Sequence, residues 1–261
     1  MPYRRAWWAV LALAPLVLLA FWPAYFGRLP SAPFAFHAHG MTAVLWLSLV
    51  GLQGWSAHRP DRALHRRAGQ AVFAAVPLFA GAAVLVLHSM ATKFALKSDP
   101  FYAALGARLA LHDIISTTAL VALVCTALAR RRQIAVHAAC MLSTAILVLP
   151  PIIVRLPIPR FFHSGELIAL TLALVAAWVE PRGRGPFLVV AGLQVVHILV
   201  FETLAASAPW ERIVTAFSAL PVAPFAAAAG LAALAALIAA WRRVPPRRSP
   251  ARPPRTTAEP A

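Results

Sequence analysis

Apolar residues run almost unbroken for about twenty positions at a time along this chain, and they do so eight times. The runs lie near 7 to 26, 38 to 57, 69 to 89, 104 to 129, 134 to 154, 164 to 180, 186 to 205 and 219 to 241. A helix needs roughly 20 mainly apolar residues to cross about 30 Å of hydrocarbon. The pattern therefore predicts an all-α, polytopic transmembrane helix bundle of about eight spans. The sixth and seventh runs are the weakest, since they are short and contain Glu166, His197 and Glu202. The first run follows MPYRR and resembles a signal peptide in its basic start, but it is too long and lacks an A-x-A site, so it reads as a retained anchor. The pair Pro150-Pro151 should kink or end regular helix in the fifth run.

Composition agrees with lipid as the solvent: 61% of the 261 residues are hydrophobic, 12% are charged, and the mean hydropathy is +0.74. A net charge of +16 and a pI near 11.8 would suggest nucleic acid in a soluble protein. Here the basic residues sit between apolar runs, and no basic stretch is interleaved with stacking aromatics, which argues against a nucleic-acid partner. Their placement instead sets an orientation. With the N-terminus inside, 17 of the 24 Lys and Arg residues face the cytoplasm and 7 face out, alternating loop by loop. This predicts a multi-pass protein of a bacterial cytoplasmic (inner) membrane with both termini cytoplasmic. The transmembrane domain spans 1 to 243, with a core at 36 to 156. The Pro- and Arg-rich residues 244 to 261 form a disordered basic tail that meets anionic headgroups. Cys125 and Cys140 both fall inside apolar runs, which excludes a disulfide framework.

Candidate chemistry lies in the histidines. His39 opens the second run and His65 the third, 26 positions apart; His112 lies near the start of the fourth run and His137 opens the fifth, 25 apart. Each pair brackets one helix and one Arg-rich turn, so spans two to five read as a pseudo-repeated four-helix core. Alternating helix direction puts His39 with His112 toward the outer face and His65 with His137 toward the inner. That arrangement would hold two b-type haems, each with two imidazole ligands, while Arg66, Arg67 and Arg108 could pair with propionates. In helix order this resembles the ascorbate-reducible two-haem cytochromes b, whose ligands come from helices two with four and three with five. The elements His37, His39, Gly40, then Leu64 to Arg67 with Gly69, then His137, Met141, Thr144, Pro150, Pro151 and Arg155 also resemble an uncharacterised bacterial multi-pass family. That family implies no activity.

Ionisable groups at membrane depth cost about 2.5–3.5 kcal/mol each on insertion scales, so each is a functional candidate. The outer half is dense in them: His37, His39, His88, Arg108, His112, Asp113, Arg155, His163, Glu166, His197 and Glu202. Arg108 and His112 share a helix face at i and i+4, whereas Asp113 points about 100° away from His112. His197 is the deepest, about 15 Å into its span, and needs an internal partner. His58 and His65 sit in an Arg-rich turn where headgroups can solvate them. Phosphate-binding glycine loops, serine triads and closely paired carboxylates are absent. Three function classes stay open: a haem electron carrier, a proton-coupled transporter or channel using Asp113, Glu166, His197 and Glu202, and a non-catalytic membrane assembly factor.

Overall fold

Long apolar segments become helices because lipid offers no partner to a backbone N–H or C=O, so each segment must satisfy its own. The computed structural model describes residues 3–157 and 163–244, and among them every regular element is helical. Among the described residues, six helical stretches are long and apolar enough to cross a membrane: Phe34–Ser56, Ala63–Leu96, Pro100–Ala129, Ile134–Ile153, Pro181–Ala206 and Val222–Arg242. Ala6–Phe21 and Ser164–Val179, the other two predicted spans, are apolar but only 16 residues each. At 1.5 Å per residue they reach roughly 24 Å. The chain is thus a helical, multi-pass membrane protein. The weak members of the predicted eight are the first and sixth spans, and the seventh is long enough.

In chain order the helices are α1 (Ala6–Phe21), α2 (Phe34–Ser56), α3 (Ala63–Gln70), α4 (Val72–Leu96), α5 (Pro100–Ala129), α6 (Ile134–Leu147), α7 (Leu149–Ile153), α8 (Ser164–Val179), α9 (Arg184–Glu202), α10 (Ala208–Ser218) and α11 (Val222–Arg242). The short helices α3 and α10 were not expected. Both are amphipathic and lie where the sequence pattern shows no long apolar run. α4 continues to Leu96, past the predicted end at 89, and stops where Lys97 turns left-handed. α5 starts at Pro100 under an Asp99 cap, whose carboxylate accepts from Phe101 N at 2.9 Å and Tyr102 N at 3.2 Å. Its 30 residues span roughly 45 Å, more than the hydrocarbon thickness, so its first turns stand at the surface. The proline pair does interrupt the fifth span: α6 ends at Leu147, and α7 carries Pro150 and Pro151.

α4 is the centre of the bundle, with α2, α5 and α11 packed along it and α10 across its end. α11, which lies outside the core expected at 36 to 156, approaches α4 at backbone range. A Cβ on Gly81 would meet Ala226 O at 3.0 Å, and one on Gly230 would meet Pro77 O at 3.1 Å. Small residues at helix contacts are how lipid-embedded helices gain packing without a hydrophobic drive between them. The α2 to α6 side is closed by Trp46, 1% exposed, whose indole N–H donates to Thr144 Oγ1 at 3.1 Å. Trp46→Ala should therefore lose about 3–5 kcal/mol, the range for large aromatic truncations. The check is a fall in the thermal midpoint of the detergent-purified protein, with Trp46→Phe losing much less.

At the arginine-rich end, Arg131 Nη1 donates to Trp241 O at 2.9 Å, its other amino group donates to Val244 O, and the guanidinium lies over the Trp241 ring at 4.0 Å. This pins the last turn of α11. The tail from 245 onward and Arg160 lie outside the described residues.

Candidate functional site

Residues four apart on a helix share a face, so Arg108, His112 and Ser116 line one side of α5, and Gln194, His197 and Phe201 line the buried stripe of α9. The first turn of α8 brings His163 and Glu166 between them. His163 caps α8 in the left-handed conformation, φ 63°, which costs a non-glycine residue about 1–2 kcal/mol. That turn is held against α7 because Gly165 lacks a Cβ: one built there would fall 2.7 Å from Pro150 Cα and 2.8 Å from Pro150 O.

The result is a chain of ionisable groups running from the surface into the bundle. Arg108 Nη1 lies 3.5 Å from Glu202 Oε2, and the other oxygen of Glu202 accepts from His163 Nε2 at 2.8 Å. The second nitrogen of His163 faces Glu166 Oε2 at 3.8 Å, while Glu166 Oε1 faces His112 Nδ1 at 3.9 Å. These last two separations lie beyond a direct hydrogen bond. The His112 ring stacks on His197 with centroids 4.0 Å apart and planes 18° apart. His197, 2% exposed, meets Ser116 Oγ through Nε2 at 3.3 Å, and its Nδ1 is buried without a hydrogen-bond partner among the described residues.

The electrostatics follow from the order of groups. His163 lies between two carboxylates: Glu202 Oε1 accepts directly from Nε2, and Glu166 Oε2 stands 3.8 Å from Nδ1. The outer part alternates in charge from Arg108 to Glu202, His163 and Glu166. Further in, two imidazoles stacked at 4.0 Å repel if both are doubly protonated, so charge on one disfavours charge on the other. One turn before His197, Gln194 is fully buried, and both its amide atoms lack partners among the described residues.

The sequence-derived candidates divide as follows. His112, His163, Glu166, His197, Glu202 and Arg108 come together in this chain. Asp113 points elsewhere and interacts with Arg155, which also donates to Pro151 O at 2.8 Å and lies over Phe21 at 5.0 Å. His39 packs on Phe79 with centroids 5.2 Å apart, His37 meets the Tyr25 hydroxyl at 2.9 Å, and His88 donates to Leu220 O at 3.0 Å. At the opposite end His65 Nδ1 reaches Gln53 O at 3.3 Å and His137 Nδ1 reaches Ala127 O at 2.8 Å. Arg66 and Arg67 are exposed on α3 beside His65. Tyr3, before α1, packs on Phe187, and burial pushes its hydroxyl up to about 12, so it stays neutral. Ser116 and Gln194 were missed by the sequence reading. The available signal was a lone polar side chain one turn from a deep histidine in Gln194, and i+4 spacing from His112 in Ser116.

No group of three or more His, Cys, Asp or Glu side chains among the described residues is arranged to hold a metal ion. Comparison of the chain with protein-family models, with curated proteins and with solved structures gave no match.

Proposed function

We propose that this membrane protein moves protons, and that the chain from Glu202 through His163, Glu166 and His112 to His197 carries them between the histidine-rich surface and the bundle interior. The observation behind this reading is the continuity of the chain. Glu202 is about half exposed and His197 is buried; Glu202, His163, Glu166 and His112 follow one another at separations of 2.8–3.9 Å, and the His112 ring lies face to face with His197. Neutral histidine both donates and accepts a proton, and carboxylates flanking it stabilise the charged ring transiently, so the steps from Glu202 to His112 are short transfers between neighbours, and the last, between stacked rings, needs one ring to turn its N–H toward the other. A proton-coupled transporter or channel is the class that needs such a path. The eight-span arrangement, with its duplicated core and with both termini on the cytoplasmic side of a bacterial inner membrane, is part of this proposal and rests on the arginine distribution.

The test is proton flux into liposomes that hold the purified protein and an internal pH dye, driven by a potassium-diffusion potential. Wild-type protein is expected to exceed empty liposomes, and His197→Phe to lose at least tenfold of the excess while eluting and melting like wild type. Equal flux from wild type, His197→Phe and empty liposomes would sink the reading.

A second reading is favoured by His65 and His137. Each donates Nδ1–H to a backbone carbonyl, which leaves Nε2 with its lone pair available, the arrangement of a metal-ligating imidazole. These two residues would hold one haem b, which supplies a one-electron carrier when bound. His39 and His112 give no matching support, since their rings pack on Phe79 and His197. An absorption spectrum of protein from haem-replete cells, before and after dithionite, decides it: no α-band, no haem.

A further inference from the structure

Away from the ionisable chain, a groove opens sideways between α5, α6 and α9 toward the arginine-rich end. Its deep end is apolar, formed by Ala119, Leu123 and Leu193, and its mouth carries Arg130 and Gln133. From Ala119 to Arg130 along α5 is 11 residues, roughly 16 Å, which is the reach of a long acyl chain. Thr126, midway, spends its hydroxyl proton on Ala122 O. Gly185 lines the α9 wall, and a Cβ built on it would meet nothing within 4 Å. At the mouth, the Arg130 guanidinium and the Gln133 amide are exposed and make no side-chain hydrogen bond or ion pair among the described residues. Arg131, the next residue, is by contrast fully engaged with the end of α11.

We infer that this groove binds one anionic phospholipid of the surrounding bilayer, with an acyl chain along α5 and α9 and the phosphate at Arg130 and Gln133. The occupant follows from the order of surfaces. An apolar slot of acyl length that ends in a cation and an amide donor without side-chain partners among the described residues matches a glycerophospholipid with net negative charge. A zwitterionic lipid brings its own cation to Arg130, and a neutral isoprenoid gives the guanidinium nothing to pair with.

The experiment is native mass spectrometry of the detergent-purified protein offered phosphatidylglycerol or phosphatidylcholine at equal concentration. Wild type is expected to retain one phosphatidylglycerol at least fivefold more than phosphatidylcholine. Arg130→Gln should reduce that preference to near unity, and Ala122→Trp, which fills the groove wall without touching the mouth, should lower retention of both lipids. The inference is overturned if wild type retains the two lipids equally, if Arg130→Gln keeps the preference, or if a neutral isoprenoid displaces phosphatidylglycerol. Melting curves of both variants, expected within a few degrees of wild type, separate loss of the site from loss of the fold.

Discussion

Gly165→Val should be the most damaging single substitution outside the aromatic core. The added side chain would have to occupy space within 2.7–2.8 Å of Pro150 backbone atoms, and a backbone cannot swing aside as a flexible side chain can. Overpacking of this kind costs about 1–3 kcal/mol, occasionally more, equivalent to roughly 2–4 °C of thermal midpoint per kcal/mol for a chain this size. The damage should also reach function, because the same turn positions His163 and Glu166. The measurement pairs a detergent melting curve with the liposome flux assay. A Gly165→Val protein that melts and conducts like wild type would show that α7 and α8 do not pack as described.

Glu166→Gln should give the opposite signature, with flux down at least tenfold and stability nearly unchanged. The carboxylate stands 3.8 and 3.9 Å from two histidines, too far for direct hydrogen bonds, so an amide of the same shape breaks none. Glutamine keeps the shape but cannot exchange a proton, so the link between His163 and His112 is cut. A tenfold loss corresponds to about 1.4 kcal/mol on the barrier. Glu202→Gln should cost less than Glu166→Gln, because Glu202 is about half exposed and water can take its place. A gradient of effect rising from Glu202 to Glu166 to His197 is the mark of a path; equal effects at all three would indicate a purely structural ion-pair cluster.

How much of this was legible beforehand depends on which interactions are local. Helix positions could be read because a continuous apolar run in lipid has only one way to satisfy its backbone. The break at Pro150-Pro151 followed from the missing N–H groups. The dense outer-half set of polar residues was visible too, since alternating direction places His112, His163, Glu166, His197 and Glu202 at one end. Their pairing was not. The 25- and 26-residue spacings suggested His39 opposite His112, but the structure stacks His112 on His197, 85 positions later, because α9 and not α2 packs its polar stripe against that face of α5. Glu202 bonds His163 across 39 positions for a similar reason.

The amino-acid order by itself therefore determined a helical membrane protein, its segment positions and the sharp difference between an arginine-rich and a histidine-rich end. These depend on hydropathy and on charge, which each residue carries regardless of its neighbours in space. The tertiary structure alone decided which histidines meet, that α11 joins the centre, and that α5, α6 and α9 leave a groove ending in Arg130. Those depend on which helix faces pack together, and in lipid that is decided by fine steric fit, such as the bare Cα of Gly165 against Pro150, which hydropathy does not record.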